Sequence, residues 1–170
     1  TCTRIEFDNF LLDHVKKHTT IDIYTGTEPL DILLRTNKVS LATKNGKTFE
    51  SRMIIGADGA HSVVARQLTG NTVDRDHYVG SVRSYYTNVQ TEGDDVIEVY
   101  FDKKYLPSYL WVFPLPGNNS NVGFGMLSSE ISKRKVNLKK TFHEILNSDP
   151  ILKQKFSHAT QNSDLQGFGL

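Results

Sequence analysis

A chain of 170 residues with 38% hydrophobic and 23% charged residues has an ordinary globular composition and the length of one modest domain, which rules out collagen-like, low-complexity and wholly disordered readings. Its 20 Lys and Arg face 19 Asp and Glu, a formal net charge of +1 with the six His neutral, so no large field draws in nucleic acid or an anionic membrane. The lone cysteine, Cys2, excludes an internal disulfide framework and a multi-thiolate zinc site, and fits a reducing compartment.

In chain order, the start Thr1-Cys2-Thr3-Arg4 lacks a Met. Asp8, with Phe7 before it and Phe10, Leu11, Leu12 and Val15 after it, predicts a helix capped at Asp8 and running over about 8 to 18. Short strands are expected at Ile21 to Tyr24, Leu30 to Leu34 and Val39 to Leu41, with Asn45-Gly46 as a hairpin turn. Met53-Ile54-Ile55 reads as a compact apolar strand running into Gly56-Ala57-Asp58-Gly59, after which Ser62 caps a short helix, Val63 to Leu68. From about residue 70 the pattern changes. Period-2 alternation over Tyr78 to Val89, Val96 to Phe101, Tyr109 to Leu115 and Asn121 to Leu127 predicts four strands of an antiparallel sheet. Leu138, Phe142, Ile145 and Leu146 share one face of a helix, and Asp149-Pro150 supplies the cap and first residue of another. The chain ends in an apolar, glycine-rich stretch, Gly167 to Leu170, so a piece of a longer protein is expected. No apolar run approaches the roughly 18 residues of a membrane span, and no signal peptide is visible.

Two stretches carry chemistry. A strand ending in Gly56-x-Asp58-Gly59 lets backbone approach a ligand closely and leaves a carboxylate at the strand's C-terminal edge, where open α/β sheets bind ligands. That carboxylate can accept from ribose hydroxyls, and the next helix offers N–H groups to a phosphate. A plain strand-to-helix turn explains the same residues. In the second stretch, Tyr109, Trp111 and Phe113 share one face of a strand, with Pro114 closing it, while Gly123 and Gly125 strip side-chain bulk from the next strand. An apolar pocket or a wholly structural sheet face both satisfy that pattern.

Gly56-Ala57-Asp58-Gly59-Ala60-His61-Ser62 resembles the Asp-Gly fingerprint of FAD-dependent oxidoreductases built like the aromatic hydroxylases. Arg4-Ile5-Glu6-Phe7-Asp8-Asn9-Phe10-Leu11 is similar to their Arg-x-x-Phe-Asp-x-x-Leu segment. The resemblance implies that Arg4, Gly56, Asp58, Gly59 and Ser62 serve the FAD. The fingerprint's arginine three residues after the Ser is Ala65 here, and Arg66 stands about 100° further round the helix, so no role passes to it. Tyr-x-Trp-x-Phe-Pro with Asn121-Val122-Gly123-Phe124-Gly125 resembles the geranylgeranyl reductase branch of that superfamily, which saturates isoprenoid double bonds with reduced FAD. The resemblance implies that Tyr109, Trp111, Phe113, Pro114 and Gly123 line the lipid pocket.

The fold class so implied is α+β or α/β: part of a Rossmann-like FAD-binding lobe over residues 1–70, lacking its N-terminal Gly-x-Gly-x-x-Gly unit, joined to an antiparallel-sheet substrate lobe over 71–170. Gly123 to Ser128 only imitates the missing unit, since no prompt helix is expected after it. The expected activity is reduction of carbon–carbon double bonds in a prenyl lipid, with NAD(P)H or a ferredoxin-type protein as reductant and no residue assigned as acid or base. The rivals are a flavin monooxygenase or halogenase of the same fold, and a non-catalytic binder of apolar ligands. No nucleic acid partner is expected. His14 and His18, one turn apart without a third ligand, read as a solvated pair and not a metal site. The basic run Lys133-Arg134-Lys135 with Lys139-Lys140 suits work at a membrane surface as well as a solvated helix face. A cytoplasmic or membrane-peripheral location is expected, and the 170 residues by themselves are expected to bind little FAD.

Overall fold

A computed structural model describes residues 2–70, 74 and 76–169. The chain forms two compact units, His14–Val73 and a second made of Thr1–Asp13 with Asp74–Leu170.

Helix α1 spans Arg4–His18. Its N-terminus is fixed by a capping box: the Glu6 carboxylate accepts from the Thr3 amide at 2.9 Å, and Thr3 Oγ1 accepts from the Glu6 amide at 3.3 Å. The expected cap at Asp8 is corrected accordingly. Asp8 lies inside the helix and accepts from Arg4, one turn earlier, at 3.1 Å.

In the His14–Val73 unit, β1 (Pro29–Arg35), β2 (Lys38–Thr43) and β3 (Thr48–Ser51) form an antiparallel sheet in sequence order. Gly46 turns the β2–β3 hairpin at φ +82°, and Thr43 closes it by donating from Oγ1 to Lys47 O at 2.8 Å. Helix α2 (Val63–Thr69) is tied to β1 through Gln67, whose side chain accepts from Ile32 N and donates to Leu30 O, both at 2.8 Å. Two expected strands are absent. Ile21 to Tyr24 and Met53 to Ile55 have no ladder partner among the described residues, and Met53 and Ile55 are 74% and 81% exposed. An apolar run needs a neighbouring strand to satisfy its backbone before it becomes one itself.

The other unit is built on β4 (Val79–Thr87), β5 (Glu98–Tyr100), β6 (Tyr109–Leu115) and β7 (Asn119–Leu127), paired antiparallel in the order β5-β6-β7-β4. Three helices follow: α3 (Ser128–Arg134), α4 (Leu138–Ser148) and α5 (Pro150–Lys155). Two short strands then return to β4, namely β8 (Thr160–Gln161) and β9 (Gln166–Gly169). Helix α3 starts directly after β7, which corrects the expectation of no prompt helix. Gly123 and Gly125 nonetheless lie inside an antiparallel ladder and not in a turn, so they form no phosphate loop.

The sheet has two faces of opposite character because alternate residues point to opposite sides. One face carries Val82, Tyr86, Leu110, Val112, Val122, Phe124 and Met126 into a core with Phe142, Ile145, Leu146 and Leu152 from α4 and α5. The expected apolar stripe of α4 is this contact. Asn137 and Asp149 cap α4 and α5 as their residue types suggest, each accepting from amides of the first turn.

Candidate functional site

In the His14–Val73 unit, the Gly-x-Asp-Gly turn is organised around the Asp58 carboxylate. One oxygen accepts from Ser62 Oγ, and the other accepts from the amides of Val63 at 2.7 Å and Val64 at 3.3 Å. Ser62 is the N-cap of α2, and its Oγ accepts from Ala65 N at 2.9 Å. The Ser62 hydrogen bond, with help from these amides, holds the Asp58 carboxyl below its ordinary value. Three amides of the first turn are therefore engaged by the chain itself, so α2 does not present them to a phosphate.

The two glycines differ. A Cβ on Gly56 would lie 2.7 Å from Val64 Cβ, so this glycine lets the turn pack against α2. Gly59 takes φ +81° and has nothing within 4 Å of an added Cβ, which leaves its backbone open to close approach. An exposed, ionised Asp58 beside an open Gly59 fits the hydroxyls of a nucleotide ribose. It does not fit a phosphate held on α2.

In the other unit, the sheet face turned away from the core carries the second motif. Tyr109, Trp111 and Phe113 stand in a row along β6, with ring centroids 5.9 and 6.0 Å apart in succession. Trp111 is buried because its indole lies on the bare backbone of Gly123, its partner across the ladder. A Cβ there would come within 2.1 Å of Trp111 Cζ2. The indole N–H donates to Asn121 Oδ1 at 3.1 Å, fixing the ring's orientation. Pro114 falls on the opposite, core-facing side of β6 and is buried there, so it does not join the aromatic row.

Arg83 on β4 pairs with Gly123 on the side away from Trp111. Its guanidinium is flanked by the Tyr85 ring at 5.0 Å and the Phe168 ring of β9 at 4.4 Å. The sequence reading passed over this residue. Alternation placed it on the same face as Tyr85, but Phe168 joins it only through the late pairing of β9. Arg83 and Tyr85 also line a hollow of about 650 Å³ with Arg4, Leu115, Asn119 and Asn162. Arg4 reaches this hollow already bound to Asp8. Thus Arg4, Tyr109, Trp111, Phe113 and Gly123 belong to one unit, and Gly56, Asp58, Gly59 and Ser62 to the other.

Residues 78–160 match the family model of the geranylgeranyl reductase catalytic domain. Digeranylgeranylglycerophospholipid reductase 2 of Methanothermobacter thermautotrophicus is 31% identical over 118 residues, which cover 66% of this chain and 31% of that protein. The digeranylgeranylglycerophospholipid reductase of Methanosarcina mazei is 34% identical over 93 residues, 53% of this chain and 23% of its own. The chain therefore spans a third or less of these curated relatives.

Among solved structures, a geranylgeranyl bacteriochlorophyll reductase-like protein from Thermoplasma acidophilum aligns with TM-score 0.80 and 23% identity, covering 98% of this chain and 42% of that one. A flavin-dependent halogenase solved with phloroglucinol and FAD aligns with TM-score 0.71 and 19% identity over 95% of this chain and 36% of its own, a likeness of fold. The mixed helix and antiparallel-sheet architecture is that of these flavoproteins. The aromatic row, Gly123 and the strands that carry them lie within residues 78–160, the segment that matches the geranylgeranyl reductase catalytic domain.

Proposed function

We propose that the protein carrying this chain is an FAD-dependent reductase that saturates carbon–carbon double bonds of a prenyl lipid. The supporting observation is the row Tyr109, Trp111 and Phe113 on the sheet face away from the core, seated on Gly123 inside the family-matched segment. Rings in a row offer an apolar surface along which a polyprenyl chain lies extended and shielded from water. The Asn121 bond to the indole sets the height of that surface before the lipid arrives.

Asp58 and Gly59 are the residues that would hold the ribose side of the FAD, and Arg4 its phosphates. When bound and reduced, FAD supplies the hydride that adds to an alkene carbon. This chain's contribution is to orient the alkene and exclude water. NAD(P)H or a ferredoxin-type protein is the expected reductant, and a lipid substrate places the work at a membrane periphery. Among the described residues no helix is long and apolar enough to cross a membrane.

The test is anaerobic incubation of the intact protein with reduced FAD and a geranylgeranylated lipid. Product heavier by two mass units per double bond is the expected result. Turnover only after oxygen is admitted, giving a hydroxylated or halogenated product, overturns the reading in favour of a monooxygenase or halogenase. Failure to bind FAD leaves a non-catalytic binder of apolar ligands.

A further inference from the structure

We propose that Arg83 is an oxyanion site that takes the phosphate head of an amphiphilic ligand whose tail lies along the aromatic row. This rests on the prenyl-lipid reading above and adds the recognition of a charged head group.

Arg83 stands between the aromatic row and the hollow, on the sheet face that carries the row. On one side its ladder partner is Gly123, the seat of the Trp111 indole. On the other it lines the 650 Å³ hollow, whose wall includes the polar side chains of Asn119, Asn162 and Ser163. A cation beside an apolar row can serve the head and the tail of one amphiphile.

The guanidinium is also prepared for an anion. Tyr85 and Phe168 flank it and restrain its plane, which lowers the entropy lost on binding. Among the described residues no carboxylate pairs with Arg83 and no acceptor takes its N–H groups. The hollow's other arginine, Arg4, is the residue read above for the FAD phosphates and lies in an exposed ion pair. Arg4 and Asp8 neutralise each other at 3.1 Å, and Glu6 is held in the capping box with Thr3. A planar, pre-oriented fork with free donors matches a phosphate's oxygens, and a partly enclosed setting strengthens the contact.

The experiment measures binding of two probes to the intact protein, geranylgeranyl phosphate and geranylgeraniol, which share a tail and differ in the head. In the unaltered protein the phosphate is expected to bind at least about tenfold more tightly than the alcohol. Arg83→Gln should weaken the phosphate by about 10- to 100-fold and move the alcohol by less than about twofold. Arg83→Lys, which keeps the charge and loses the stacked fork, should fall between, and serves where the Gln variant does not fold. Equal affinities for the two probes in the unaltered protein, or equal weakening of both in the variants, overturn the proposal. Two further arms separate the sources of phosphate. Inorganic phosphate that displaces the prenyl phosphate at comparable concentration makes the site one for free phosphate and overturns the amphiphile assignment. Loss of FAD affinity in Arg83→Gln with prenyl phosphate unaffected assigns the residue to the cofactor and overturns it likewise. Because the readout is binding, the reductase reading can fail in its own assay while this one stands, and the reverse.

Discussion

Gly123 shows how one missing methyl group shapes the outer face of a sheet. Trp111 is only 8% exposed although it sits on the face away from the core, because its ring rests where any other residue's Cβ would be. Gly125, the next glycine on that face, is less demanding: its added Cβ would meet Val79 Cγ1 at 3.3 Å and the rest at ordinary contact. Gly123→Ala must therefore expel the indole, break its bond to Asn121 and disturb the spacing to Tyr109 and Phe113. The expected cost is about 1–3 kcal/mol, the usual range for overpacking. It should be accompanied by a red shift of Trp111 emission and weaker prenyl-chain binding. Trp111→Ala in the Gly123→Ala background should recover most of the lost stability, so a double-mutant cycle with strictly additive effects would refute this account.

At the level of elements, β5 is a three-residue edge strand, and a charge cluster with Lys155 and Glu98 enclosed and Glu92 exposed fastens it to α5. Lys155 at the end of α5 lies 3.1 Å from Glu98 and 2.5 Å from Glu92, and Glu98 also accepts from Tyr100 Oη and from the Glu92 amide. Burial opposes ionisation of Glu98, but these bonds outweigh it and hold its carboxyl below the ordinary value. Burial together with Glu98 pushes the Tyr100 hydroxyl up to about 12. A carboxyl depressed in the folded state contributes stability that is present above its unfolded pKa of about 4.3 and is lost as pH falls through the lower folded value. Glu98→Gln should accordingly flatten the acid limb of a stability profile below about pH 4.3. Lys155→Met should cost roughly 3 kcal/mol at neutral pH by leaving the carboxylate without its cation, and much of that loss should return in the Lys155→Met, Glu98→Gln pair. Denaturant midpoints across pH check both, and a Lys155→Met variant as stable as the parent would remove the cluster's role. The limits of local pattern show at the same scale. β6 is legible because aromatic residues on one face alternate with aliphatic ones on the other, whereas Met53 to Ile55 carries apolar residues but nothing that names a partner strand. The start of α1 was misplaced because Asp8 is a good cap type, while Thr3 and Glu6 form the reciprocal pair that closes the helix.

Across the whole molecule, what a sequence displays and what it hides divide by sequence distance. The row of rings, its glycine floor and the capped turn at Asp58 are each set by residues a few positions apart or by a simple alternation. Arg83 acquires its setting from Phe168, and β4 acquires β8 and β9, through pairings across more than seventy residues that no short window contains. The same contrast governs stability. The sheet of β4 to β7 buries a continuous apolar face under α4 and α5, with Val112, Val122, Phe124 and Phe142 almost wholly enclosed. In the His14–Val73 unit, Ile32 and Val39 are the buried hydrophobic residues among those described, while Leu33 and Leu34 remain 53% and 59% exposed. Burial of a large apolar side chain contributes about 1.5–3 kcal/mol, so the two units differ widely in what opposes local opening. Hydrogen exchange of these 170 residues should therefore show amides of β2 exchanging at least ~100-fold faster than those of β7, each factor of ten being about 1.4 kcal/mol of opening free energy. Equal protection of the two strands would mean that the smaller sheet draws stability from a source other than its own core.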